Sequence, residues 1–158
     1  MKITTLMGIA LLGCMHVACA GTAEDNVTAT KEIRAALMRW MQAADKDDWK
    51  TALDVWAPDL VGWVGSDGVV TYAQQADLVA HPPAHTIHTL MRVDEITVEG
   101  SLAVVRDTWT RRVKQEDGHS ALLRVRRYEI WRRQPDKQWK ISRFIESPSA
   151  NSPEIPRR

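Results

Sequence analysis

From Glu95 onward the chain is a succession of long strand-forming runs broken by tight turns. It closes on Tyr128-Glu129-Ile130-Trp131-Arg132-Arg133, a turn at Pro135-Asp136-Lys137, and the return Gln138-Trp139-Lys140-Ile141-Ser142. Consecutive hairpins pair with their sequence neighbours and leave one sheet face to be covered. Two amphipathic, tryptophan-containing helical stretches precede them. This order predicts an α+β fold: a strongly curved, cone-shaped antiparallel sheet with N-terminal helices across its concave face and a pocket between. Parallel α/β is disfavoured, because helices and strands do not alternate.

The first helix is expected to start near Asp25 or Thr28. Ile33, Leu37, Trp40, Met41 and Ala44 fall on one helical stripe, with Arg34, Arg39 and Gln42 on the other side. Asp47 or Asp48 is expected to cap a second short helix whose buried face carries Trp49, Ala52, Leu53 and Trp56. Ala57-Pro58 ends it, since a residue before proline avoids the helical region. Leu60–Gly65 and Val69–Thr71 read as strands around a Ser66-Asp67-Gly68 turn, and Tyr72–Ala80 as a third helix. Strands are then expected over His85–Val93, Glu95–Glu99, Leu102–Lys114, Ser120–Arg133 and Gln138–Glu146.

The 158 residues suffice for one domain with a core. Residues 1–20 are expected to be a cleaved export signal: Lys2, an apolar run from Leu6 to Val17, then Ala18-Cys19-Ala20. A buried N-terminal helix is the alternative. Leu11-Leu12-Gly13-Cys14 also resembles a bacterial lipoprotein cleavage box, which would anchor the protein through an acylated Cys14. The expected layout is a leader at 1–20, one domain over 21–147 and a disordered tail at 148–158, placing the protein in the periplasm or outside the cell. Both cysteines lie in the leader, so the processed chain would have no disulfide and no thiol chemistry.

Charge is distributed unevenly. Gly21–Leu102 holds 6 basic and 13 acidic residues, whereas Ala103–Arg158 holds 14 and 7, giving −7 and +7. A basic sheet can attract an anionic ligand, but long charged side chains also protect exposed strands. No compact basic cluster interleaved with aromatics is present, which argues against nucleic-acid binding. Apart from the Cys14 route, nothing points to a membrane.

Three segments carry a family resemblance. Asp47-Asp48-Trp49-Lys50-Thr51-Ala52-Leu53-Asp54-Val55-Trp56-Ala57-Pro58-Asp59-Leu60-Val61 resembles the helix-to-strand segment of SnoaL-like proteins of the nuclear transport factor 2-like superfamily. Val98-Glu99-Gly100-Ser101-Leu102-Ala103-Val104-Val105 resembles their central turn and strand, and Trp131 to Trp139 their final hairpin. The likeness spans most of residues 28–147. It implies a cone with an internal pocket, often in a homodimer packed through the sheet. It implies no single activity, because isomerases, cyclases, dehydratases and non-catalytic binding domains share this fold.

Candidate chemistry therefore rests on individual residues. Proton transfer requires a carboxylate or histidine in an apolar pocket. Glu129 is one candidate, with a cross-strand ion pair to Arg143 as the alternative role. Asp107 is another, sharing a strand face with Trp109, with pairing to a nearby arginine as the alternative. His88 is the best-placed histidine for a proton shuttle. Trp40, Trp56, Trp63 and Trp109 are candidate ligand-binding walls, with Tyr128 as a hydrogen-bond donor. Seven of the ten aromatic residues are tryptophan, so several must also fill the core. Asp59 is expected to bond turn amides. His85 and His88 are expected on opposite strand faces, so no metal site is anticipated. No cofactor fingerprint appears. The first helix lacks the tyrosine of ketosteroid isomerases. The expected function is binding of a small apolar molecule, with or without cofactor-free isomerase, cyclase or dehydratase chemistry. The rival is a non-catalytic homodimeric interaction module.

Overall fold

The computed structural model describes residues 23–65, 68–82, 86–114 and 119–148. The leader with Cys14 and Cys19, His85, the turn residues Ser66, Asp67 and 115–118, and the tail from 149 onward lie outside the described residues.

Helix α1 (Ala23–Ala44) begins slightly earlier than expected. Its stripe Ala29, Ile33, Leu37, Trp40 and Ala44 is buried, each large apolar side chain contributing about 1.5–3 kcal/mol on burial. Helix α2 (Trp49–Ala52) is capped by Asp48, whose side chain accepts from the Thr51 N–H at 3.1 Å. A 3-10 turn (Leu53–Val55) follows. Trp56, expected on the helix, instead adopts φ −89°, ψ 133° and opens β1 (Trp56–Val64). The chain must be extended by Ala57 to enter Pro58, and Trp56 makes the change of direction.

The remaining elements are β2 (Gly68–Thr71), α3 (Tyr72–Ala80), β3 (Thr86–Glu99), β4 (Leu102–Lys114), β5 (Ser120–Arg133) and β6 (Trp139–Pro148). A capping box between Thr71 and Gln74 starts α3. The two strands expected between His85 and Glu99 are one strand, β3, broken in register between Leu90 and Arg92 and again between Val93 and Glu95. Each bulge restores pairing after an extra residue and bends the strand.

The described strands form one six-stranded sheet in the order β2-β1-β6-β5-β4-β3. Neighbours are antiparallel except β1 and β6, which run parallel. No hairpin links that pair: the chain travels through β3, β4 and β5 before β6 returns beside β1. α1 lies against the sheet, and its buried stripe shares one core with Val105, Trp109, Val125, Trp131, Ile141 and Phe144. Gly62 pairs with Phe144, and a Cβ on Gly62 would stand 2.1 Å from the Phe144 ring. That close approach seats the Phe144 ring against β1 at Gly62.

Candidate active site

Alternation along the strands sends Asp107, Trp109 and Arg111 of β4 to the inner face, with Arg127 and Glu129 of β5 and Phe144 and Glu146 of β6. Asp107 stands opposite Arg127, and Arg127 opposite Glu146. One row across three strands is thus acid, base, acid, with Asp107, Arg127 and Glu146 all buried.

The Arg127 guanidinium carbon lies 5.0 Å from the Phe144 ring centre and 5.5, 5.6 and 5.9 Å from those of Trp40, Trp56 and Trp109. These four rings replace part of its hydration through cation–π attraction. Its Nη1 lies 3.4 Å from Glu129 Oε1 and its Nε 3.2 Å from Glu146 Oε2. The latter contact is electrostatic, since Nε is not aligned for a hydrogen bond. Arg111 Nη2 donates to Glu146 Oε2, and Trp131 Nε1 donates to Glu129 Oε2 at 2.8 Å.

Asp107 has no such support. Neither carboxyl oxygen, nor the buried Trp109 Nε1, has a hydrogen-bond partner among the described residues. Burial is the main force raising Asp107 from its ordinary 3.8 to about 8, with Glu129 adding to it and Arg127 opposing it. The Trp109 N–H also favours the charged form from nearby, although its alignment falls short of a hydrogen bond. Burial pushes Glu129 upward too, against Arg127 and Trp131. Glu129 accepts one hydrogen bond, from Trp131, and lies beside Arg127, while burial favours the protonated form of both Asp107 and Glu129. The cluster sets two arginines among three buried carboxyl groups, and burial draws Asp107 and Glu129 towards their neutral forms. Each buried polar group left unpaired costs about 1–3 kcal/mol, a cost concentrated in this spot.

His88 of β3 pairs with Arg111 of β4 and is buried. Its ring stands edge-on to Trp40, 5.1 Å between centres. Asp45 reaches it from the end of α1. Asp45 N–H donates to Met41 O at 2.9 Å, continuing the helix, and Asp47 then takes φ 56° and turns the chain. Asp45 Oδ1 accepts from the His88 backbone N–H at 2.7 Å and lies 3.9 Å from His88 Nδ1. β3 is a sheet edge, so this carboxylate satisfies an otherwise free edge donor and faces the imidazole with negative charge.

A cleft of about 400 Å³ lies elsewhere, lined by Ala36, Arg39, Trp40, Asp54 and Trp139 among others. Trp40 is its link to the buried cluster. The end of the sheet carrying His88 and Arg111 adjoins residues 83–85 and 115–118, outside the described residues.

The profile of the SnoaL-like domain matches residues 25–145. The chain belongs to the SnoaL-like domain family. No curated protein matches this SnoaL-like chain significantly. Among solved structures it is similar to a nuclear transport factor 2-like superfamily protein from Salmonella enterica serovar Typhimurium, with TM-score 0.68, 20% identity, and 79% of this chain and 94% of that one covered. It is also similar to a nuclear transport factor 2-like protein with a cystatin-like fold from Novosphingobium aromaticivorans, with TM-score 0.67, 21% identity, and coverage of 80% and 85%. A type 2 hexachlorocyclohexane dehydrochlorinase aligns with TM-score 0.67, 16% identity, and coverage of 85% and 98%. At these identities the structures establish the fold of the SnoaL-like domain.

Within that fold, Glu129, Asp107, His88, Trp40, Trp56 and Trp109 come together on the inner side. Tyr128 and Trp63 do not. They are 54% and 46% exposed on the outer sheet face, because Tyr128 precedes inward Glu129 by one residue and pairs through Ile145 to Trp63. The expected Glu129–Arg143 pairing is also corrected. A register break after Ile130 leaves Ser142 as an extra residue, so Glu129 faces Phe144 and Arg143 turns outward. There Arg143 and Arg132 hold Asp59, which was expected to bond turn amides. Asp45, Arg127 and Glu146 were not singled out from sequence. Among the described residues no group of three or more His, Cys, Asp or Glu side chains is arranged to hold a metal.

Proposed function

We propose that this SnoaL-like domain holds a small, largely apolar molecule against its inner tryptophans and performs cofactor-free acid–base chemistry on it. The observation that carries this reading is the Asp45–His88 arrangement: a buried imidazole with a carboxylate at its Nδ1 side. That carboxylate, 3.9 Å from Nδ1, sets negative charge beside an imidazole that in this reading takes a proton from substrate carbon. The released electron pair forms a double bond, either expelling a leaving group on the next carbon or shifting onto a conjugated oxygen. The fold shared with a dehydrochlorinase, by its name an elimination enzyme, supports this class of reaction.

The test is deuterium incorporation into a panel of carbon acids in D₂O, read by mass spectrometry. Exchange that disappears in His88→Ala and falls at least tenfold in Asp45→Asn supports the reading. Exchange unchanged by His88→Ala, or no exchange with any compound, defeats it.

The interaction reading draws on the outer face. Val69, Trp63, Ile145 and Tyr128 form one cross-strand row and are all about half exposed. We infer that a second copy covers this row, and Ile145→Glu should convert a dimer to a monomer in sedimentation. Export, through the leader or through acylated Cys14, is proposed on the sequence pattern. The N-terminal residue and mass of the protein expressed in a bacterial host would distinguish the two routes.

A further inference from the structure

β3 forms one edge of the six-stranded sheet, and its two halves are protected unequally. The first half carries both register breaks, and Asp45 accepts from the His88 N–H. Bulges and satisfied donors keep a foreign strand off an edge. Residues 95–99 have neither. They pair without interruption with residues 102–106 across the two-residue turn Gly100-Ser101, where Gly100 takes φ 59°. Glu99 and Leu102 close that turn, so Glu99, Thr97 and Glu95 bond to β4 and the N–H and C=O groups of Val98 and Ile96 point away from the sheet. Among the described residues no side chain takes either of those N–H groups, in contrast to His88.

Beside this stretch lies an open groove of about 500 Å³ between β3 and the start of α1, lined by Val27, Thr30, Lys31, Arg34, Ile96 and Val98 among others. Ile96 and Val98 are half-buried against the core, and Val27 is exposed. Lys31 and Arg34 are exposed, form no ion pair among the described residues, and share the groove with no acid. The opposite face of the same stretch carries Glu95, Thr97 and Glu99, all exposed, with Glu95 3.7 Å from Arg106. The edge is thus apolar and basic on one face and acidic on the other. We propose that residues 95–99 take an extended peptide as a seventh strand, one whose alternate side chains are apolar and acidic towards α1 and basic on the reverse. Main-chain bonds to Ile96 and Val98 supply the attachment, and the alternation supplies the specificity. A second copy joined antiparallel through the same edge would set Lys31 and Arg34 against their own kind on one face and Glu95 and Glu99 on the other, which disfavours it. The site lies apart from His88 and does not depend on the acid–base reading.

The test titrates two capped peptides into the nitrogen-15-labelled full chain and follows the amides by NMR. The first is Thr-Val-Lys-Glu-Lys-Val-Thr, with Val, Glu and Val on one face of the strand and Lys on the other. The second exchanges every Lys and Glu. The first should shift amides of residues 95–99 and 26–34 and bind at least about fivefold more tightly, the scale of a few exposed ion pairs. Lys31→Glu combined with Arg34→Glu should reverse the preference. Methylating two adjacent central backbone nitrogens of the first peptide, one of which must face β3, should abolish its binding. Val98→Pro removes an outward donor at an edge position where proline is tolerated, and should weaken the first peptide at least about fivefold. If Val98→Pro does not fold, the methylated peptide decides. Shifts with neither peptide, shifts confined to other residues, equal affinity for both, or undiminished binding of the methylated peptide would overturn the proposal. Broadening of residues 95–99 that grows with protein concentration in the absence of peptide would overturn it too, by giving the edge to a second copy.

Discussion

Asp107 stands directly opposite Arg127 across β4 and β5, yet the arginine directs its guanidinium to Glu129 and Glu146. The acid that faces the cation is the one left without a hydrogen bond. Burial therefore dominates its titration, raising it to about 8.

The consequence is a pH-dependent stability of unusual sign for an aspartate. Below about pH 4, folded and unfolded chains both carry the proton. Between 3.8 and about 8 only the folded chain does, so folding takes up a proton and stability falls as pH rises, levelling off above 8. The slope from this residue is at most about 1.4 kcal/mol per pH unit. Asp107→Asn lacks it. In urea unfolding at pH 5, 6.5 and 8, the variant should gain on the parent as pH rises. A difference between the two proteins that does not change with pH would show that Asp107 ionises normally.

Arg127 supplies the cluster's central charge, and its removal leaves Glu129 and Glu146 facing one another in a low-dielectric interior. Arg127→Met should cost about 3–5 kcal/mol, the usual penalty for breaking a buried pair from one side. Combining it with Glu129→Gln should recover part of that loss, because one orphaned charge is removed. Denaturant midpoints of the two single variants and the double variant check this. Additive losses would mean that the two residues do not interact.

Much of this arrangement was legible in the chain. The α1 stripe, the hairpin order and the shared face of Asp107 and Trp109 follow from periods of 3.6 and 2. Strict alternation from Glu129 also places Tyr128 on the outer face. Aromatic character favoured an inner position, and alternation decided otherwise. The Ser142 bulge left no local signal, and it reversed the expected partner of Glu129. Arg127 lies in an arginine-rich strand that reads as solvated, and its burial depends on four rings from α1, β1, β4 and β6. Asp45 sits in an acidic run whose evident role is helix capping, while its contact with His88 spans 43 positions and exists only once α1 lies against β3.

Gly62 tests how firmly the aromatic box is seated. A Cβ there would fall 2.1 Å from Phe144 Cε1, and the ring is already bounded by Trp56, whose ring centre is 5.5 Å away, and by the Arg127 guanidinium at 5.0 Å. Gly62→Ala should destabilise by about 1–3 kcal/mol, as overpacking typically does, and should perturb the near-ultraviolet tryptophan signal. Combining it with Phe144→Leu should relieve part of the strain. A neutral Gly62→Ala would mean that the box has free space beside Phe144.

Asp45 separates orientation from stability. Asp45→Asn keeps a side-chain oxygen that can accept from the His88 backbone N–H, so the edge of β3 stays satisfied. Asp45→Ala removes that acceptor and should cost about 1–3 kcal/mol, the range for losing a bond to a charged group at a partly buried site. Asn nevertheless withdraws the negative charge that lies 3.9 Å from Nδ1 in the parent protein. The two variants should thus differ in melting temperature yet share a loss of deuterium exchange of at least tenfold. If exchange instead tracked stability, with Asn nearly as active as the parent, Asp45 would be a clasp between α1 and β3 and the imidazole would work without it.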